Sequence, residues 1–181
     1  YITEAEFSEL AAFIRREGVV RRFARGERLS GQGLRSHRCG LVVQGAFRYV
    51  YADAAGEEHV VGYAFAGEFV GDYISMCVDA PSQVTIGAMC GAEALLVPGE
   101  RLETFYRTDA ACERLGRRLA EHMLAEVYER LLDRYAASPQ QRYEALTERC
   151  PDVLQLVPLR ELASYLGVRP ETLSRIRRRV R

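Results

Sequence analysis

The densest chemistry in this chain lies near its C-terminal end, where Arg169, Pro170, Glu171, Thr172, Ser174, Arg175, Arg178 and Arg179 follow closely on one another. A guanidinium can donate two parallel bonds to a guanine edge, Glu can accept from cytosine, and Ser, Thr and surplus Arg suit phosphate oxygens. Leu173, Ile176 and Val180 recur among them at three- and four-residue spacing, which predicts a helix with one apolar and one basic side. Glu171 and Arg175 are the candidate base readers. Thr172, Ser174, Arg178 and Arg179 are candidate phosphate contacts, with Arg169 and Pro170 at the start of the helix. A solvated basic helix with no nucleic-acid partner is the plainer alternative.

A second group stands earlier in the chain. Gly71, Asp72, Tyr73, Ser82 and Gln83 offer backbone amides, a carboxylate and neutral donors around a short segment, while His122 and Met123 sit within a long helical pattern. No catalytic residue and no metal ligand is assigned, because His37, His59 and His122 are far apart in sequence and no Cys-x-x-Cys spacing occurs. His122 invites two sharper ideas, a haem ligand or a pH-sensitive contact, beside the bland one of a partly exposed histidine.

The elements that must position these groups follow from periodicity. Phe7, Leu10, Ala11 and Ile14 predict an opening helix over residues 3–17. From Val19 to Pro98 short apolar stretches alternate with glycine turns, which argues for an antiparallel barrel or jelly roll. Residues 101–106 read as a short helix, and Thr108 or Asp109 then caps a long one. In that helix Leu115, Leu119, Ala120, Met123, Leu124, Val127, Tyr128, Leu131, Leu132 and Tyr135 form a stripe too wide for a simple surface helix. One edge is expected on the barrel and the other on a second copy of the chain, although an entirely intramolecular stripe would satisfy the same pattern. Ser138-Pro139 restarts a helix with an N-cap and a first-turn proline. Leu159, Leu162, Ala163 and Leu166 then give a short amphipathic helix, closed by Gly167 ahead of the basic one. Two such helices joined by a glycine turn are a helix-turn-helix.

Composition agrees with a DNA-directed end on an acidic body. Formal charge is balanced at 25 basic and 25 acidic residues, yet from Pro158 onward seven Arg face two Glu, so the remainder is net negative. Every basic residue is Arg. The five cysteines are odd in number and scattered, and are expected to be reduced and mostly buried. No apolar run reaches the roughly eighteen residues a membrane span needs, and Glu4 and Glu6 do not suit a signal peptide, so a cytoplasmic protein without membrane contact is expected.

The run from Glu161 to Ile176 resembles the helix-turn-helix of the catabolite activator and fumarate-nitrate regulator (Crp/Fnr) superfamily, whose recognition helix carries a Glu-Thr-x-x-Arg core, here Glu171, Thr172 and Arg175. Gly31-Gln-Gly33, Leu41 to Gly45, Asp53 to Glu57 and Ala66 to Asp72 are similar to the turns of its ligand domain. The resemblance implies an α+β protein: an antiparallel jelly-roll sensor domain at residues 1–107, a long dimerisation helix at 108–137, and a helix-turn-helix domain at 138–181. It implies a sequence-specific transcription regulator working as a homodimer on double-stranded DNA, with RNA polymerase as a further partner. No cofactor is assigned beyond a small-molecule effector, a cyclic nucleotide or another. The resemblance also implies the ligand-binding residues: Gly71, Asp72 and Tyr73 on the segment that holds the nucleotide, and His122 and Met123 on the long helix against the base. The neutral Ser82 and Gln83 complete the set where the family has its phosphate-binding Arg-Ser pair, so weak or no binding of cyclic AMP is expected. The N-terminal cysteine cluster of iron-sulfur members is absent. The sequence stops two residues after Arg179, so a wingless short form is expected. A metal-dependent cupin enzyme shares the jelly roll, but the His-x-His pair it needs is missing. A signalling module acting on a protein partner is the alternative reading.

Overall fold

Short runs such as Leu41 to Val43 and Phe47/Tyr49/Tyr51 can bury one face only by pairing with other strands. In the computed structural model they do so as an antiparallel roll of two four-stranded sheets. The structure describes residues 2–35 and 37–180, apart from the side chains of Arg134 and Val180. The expected apolar contact of Val180 and the charge of Arg181 thus lie outside the described residues.

The roll comprises β1 (Val19–Phe23), β2 (Arg28–Ser30), β3 (Arg38–Gln44), β4 (Ala46–Ala52), β5 (Glu58–Phe65), β6 (Phe69–Gly71), β7 (Thr85–Ala88) and β8 (Ala92–Pro98). One sheet runs β1-β8-β3-β6 and the other β2-β7-β4-β5. Between them Phe23, Val42, Phe47, Ile86, Ala94 and Leu96 form the inner core. Strand β2 was not legible in the sequence, since it is three residues long and carries a single large apolar side chain, Leu29.

The opening helix, α1 (Ser8–Glu17), starts later than periodicity suggests. Thr3 instead makes a β-bridge to Glu68, and the Glu4 amide donates to the Gly67 carbonyl, so the first residues are held against the roll as extended chain. A short helix α2 (Tyr73–Cys77) follows β6, and α3 (Gly99–Tyr106) follows β8. The long helix α4 (Ala110–Ala136) is capped by Asp109, whose carboxylate accepts from the amides of Ala111 and Cys112. Phe7, Leu10, Phe13 and Ile14 of the N-terminal segment pack with Cys39, Leu41 and Val97 of the roll, Leu102 of α3, and Leu115 and Leu119 of α4.

The stripe on α4 splits along its length. Leu115 and Leu119 are buried, whereas Leu124, Val127, Tyr128, Leu131, Leu132 and Tyr135 are exposed, from 46% to 85%. After α4, Ser138 and Gln141 close a capping box at the start of α5 (Pro139–Arg149). The connector expected before the helix-turn-helix folds a single turn, α6 (Val153–Leu156), leading to α7 (Leu159–Tyr165) and α8 (Pro170–Val180). These helices share one core with the outer side of the roll. Tyr143, Leu146, Val153, Leu162 and Leu173 pack in the same cluster as Ala46, Tyr63 and Phe65.

Of the cysteines, all free, only Cys39 and Cys150 are buried; Cys77 is exposed, and Cys90 and Cys112 are half-buried. The expectation that most are buried is therefore corrected. Cys77 lies in α2, a five-residue helix with too little apolar surface to cover both its sides.

Candidate DNA-binding face and effector cavity

The turn between α7 and α8 is built by Gly167. It takes φ +66, its amide donates to the Ser164 carbonyl, and the next amide, of Val168, reaches back to Ala163. These two bonds satisfy carbonyls that the end of α7 would otherwise leave open, and only glycine adopts that backbone without steric cost. The Arg169 carbonyl then accepts from the amides of Thr172 and Leu173 and starts α8. Leu173 and Ile176 turn inward, at 0% and 7% exposure.

That anchoring leaves the other side of α8 to solvent. Arg169, Glu171, Arg175, Arg178 and Arg179 are exposed, and Pro170, Thr172 and Ser174 are half-buried. Among the described residues none of these side chains makes an ion pair or hydrogen bond within the chain. The face is thus a row of uncommitted guanidinium donors over a packed helix, a geometry that can meet phosphates and base edges. Arg177 to Arg179 also sit at the negative end of the helix dipole, which stabilises them there.

Three contacts that sequence reasoning missed tie this unit to the rest. Arg149 is paired with Glu68 through two bonds of 2.7 and 2.6 Å and donates also to the Tyr63 carbonyl, with both side chains under 8% exposed. Arg48 bonds Glu161 of α7 at 2.7 Å, and the Tyr63 hydroxyl donates to the same carboxylate. Arg142 donates to the carbonyls of Ala137 and Leu166, joining the end of α4 to the end of α7. Partners up to 113 positions apart leave no local signature.

The second candidate group divides in two. Gly71, Tyr73 and Met123 line a cavity of about 230 Å³ between α1, the roll and α4, together with Tyr49, Val61, Tyr63, Leu119 and Val127. Gly71 has φ +152, and a side chain there would strike the backbone of Arg38 and Cys39 within about 3 Å, so the close approach of β6 to β3 requires glycine. Asp72, Ser82 and Gln83 stand apart from the cavity lining. The Asp72 carboxylate caps α2 and accepts from the Ser75 amide and hydroxyl, from the Ser82 hydroxyl at 2.6 Å and from the Gln83 amide. Burial alone would raise its pKa, but these bonds prevail and hold it below the ordinary carboxylate value. His122 lies elsewhere again, edge-on to the Phe7 ring at 5.5 Å.

A further group that the sequence did not suggest is Asp53, Glu57 and His59, whose ligand atoms come within 4.8 Å of one another in the β4–β5 turn. Asp53 there accepts from the amides of Ala55 and Glu57 and bonds the His59 ring, so the cluster is accounted for as turn closure.

Comparison with known proteins agrees with this architecture. Residues 20–109 match the family of the cyclic nucleotide-binding domain. FixK2 from Bradyrhizobium japonicum superposes with a TM-score of 0.75 at 17% identity, covering 90% of this chain and 84% of that one. The c-di-GMP responsive global regulator CLP of Xanthomonas campestris gives 0.63 at 17% identity, over 96% and 91%. The Thermus thermophilus catabolite activator protein gives 0.60 at 19% identity, over 96% and 82%. No curated protein sequence matches the chain. The fold therefore defines a jelly-roll chain of the cyclic nucleotide-binding type, and a protein from Eubacterium rectale assigned as a transcriptional regulator of the Crp/Fnr family shares it, with a TM-score of 0.65 at 15% identity over 93% of this chain and 80% of that one. More narrowly, residues 20–109, just under half of the chain, are similar to the cyclic nucleotide-binding domain family.

Proposed function

We propose that this chain is a sequence-specific DNA-binding transcription regulator, acting in the cytoplasm as a homodimer, with an effector site in its roll. The observation that carries the reading is the exposed Arg face of α8, unpaired among the described residues, behind the glycine-closed turn of Gly167. In this reading residues 138–181 form the DNA-binding unit, 108–137 the dimer helix and 1–107 the sensor. Glu171 and Arg175 read bases, and Thr172, Ser174, Arg178 and Arg179, with Arg169 and Pro170 at the helix start, hold the backbone. The exposed half of the α4 stripe is the face offered to a second copy. Two recognition helices related by a two-fold axis would read a palindromic operator with half-sites about 34 to 36 Å apart, and RNA polymerase would be met at the promoter. No described helix is long and apolar enough to cross a membrane. Kinship with regulators gives no reason to assign an enzymatic activity.

The test is selection from random DNA followed by quantitative gel shift. Arg175→Ala is expected to cost about 1 to 3 kcal/mol on the selected site and to relax specificity at one base pair, whereas Arg178→Ala should weaken all sequences alike and shallow the salt dependence. Equal losses on selected and random DNA for Arg175→Ala would contradict the assignment. Absence of any DNA binding would favour a module that acts on a protein partner.

A further inference from the structure

The cavity beside α4 differs chemically from a nucleotide site, and we infer that it takes an uncharged, largely apolar small molecule carrying one hydrogen-bond acceptor. The inference rests on the sensor reading of the roll and specifies its ligand class. Leu10, Ile14, Val61, Leu119 and Met123 supply apolar wall on several sides of the 230 Å³ space. Apolar cavities of roughly 150 Å³ already admit benzene, so a one- to two-ring molecule is of the right scale.

The polar groups nearby are already committed. The Gly71 amide donates to the Tyr49 hydroxyl at 3.1 Å. Next to it, the donors of Ser75, Ser82 and Gln83 converge on Asp72, so the place where an anion could be held is filled by the protein's own carboxylate. Of the charged residues that reach the cavity, Glu68 is bonded to the buried Arg149, and Arg130, 3.6 Å from Glu126, keeps 43% of its side chain in solvent. A phosphate or carboxylate held beside Tyr49 and Gly71 would lose its hydration where every described donor but the Tyr49 hydroxyl is already bonded within the protein, which disfavours it. What remains is the Tyr49 hydroxyl, which accepts from Gly71 and, among the described residues, donates to nothing. Burial pushes this phenol up to about 12, so its proton is retained for a ligand acceptor.

The experiment titrates the full chain, without DNA, with the uncharged fluorophore N-phenyl-1-naphthylamine. Saturable enhancement near one probe per chain is expected, with no displacement by cyclic AMP. Met123→Trp and Val61→Trp introduce bulk into the lining from α4 and from β5, and each should weaken binding by about tenfold or more. In the unaltered chain the probe should slow amide hydrogen exchange at residues 61–63 and 119–127, a readout that does not depend on either variant folding. No saturable binding, binding that survives both variants, exchange protection confined to other segments, or displacement by micromolar cyclic AMP would each overturn the inference. A gel shift on the same preparation separates the two readings. Probe binding without DNA binding refutes the regulator and keeps the cavity ligand; DNA binding without probe binding does the reverse.

Discussion

At the scale of single residues, Asp72 shows how one carboxylate can decide what a pocket offers. Left alone it could hold a ligand hydroxyl; bonded to Ser75, Ser82 and Gln83 it instead locks the turn that carries α2. Its folded pKa is lowered, so the stability it contributes is complete above the ordinary value of 3.8 and is lost as pH falls through the lowered folded value. Asp72→Asn should therefore cost about 1 kcal/mol at neutral pH, below the roughly 1.5 to 3 kcal/mol of a buried charged hydrogen bond because the group is partly solvated. Urea titrations of both proteins should show that difference shrinking once the pH drops below 3.8. An unchanged gap at low pH would mean that Asp72 acts through packing and not through charge. Sequence reading named Asp72, Ser82 and Gln83 together, but their types alone could not tell whether they face a ligand or one another.

At the scale of elements, the helix-turn-helix is governed by local rules. The φ of +66 at Gly167 is one that L-residues adopt only at a cost, and no atom lies within 4 Å of where a Cβ would stand. Gly167→Ala should thus destabilise by about 1 to 2 kcal/mol through backbone strain alone, without a clash. Thermal denaturation would show this, and a larger loss would imply that α7 and α8 had changed their packing. The capping box at Ser138 and Gln141 works by the same logic: short-range bonds written in adjacent residues, which is why the break before α5 could be read from the sequence. Helix α1 began later than its pattern implied because a tertiary partner, the roll edge at Gly67 and Glu68, captured its first residues.

At the scale of the whole molecule, the exposed half of α4 and the docked C-terminal unit set how the parts cooperate. Six large apolar side chains from Leu124 to Tyr135 in contact with water are costly unless covered, at about 25 cal/mol per Å² of apolar surface. Leu131, 49% exposed, contributes little to the chain's own core, so Leu131→Asp should leave the fold intact while shifting sedimentation to a monomer. In the proposed regulator DNA affinity should fall with it, because each α8 alone would offer few side chains to the bases. A variant that stays dimeric would place the self-association face elsewhere.

What the sequence by itself determined is whatever depends on neighbours a few positions apart: the strand-and-turn rhythm of the roll, the caps of α4 and α5, the glycine turn and the basic face of α8. What only the tertiary structure decided depends on pairs far apart in the chain. Glu68 meets Arg149 across 81 positions and Arg48 meets Glu161 across 113, which docks α5 and α7 on the wall of the roll. The cavity is likewise lined by α1, β5 and α4, three elements far apart in the chain. Local bonding geometry is encoded residue by residue, whereas the closing of a pocket and the meeting of buried charges depend on how packed elements fit together.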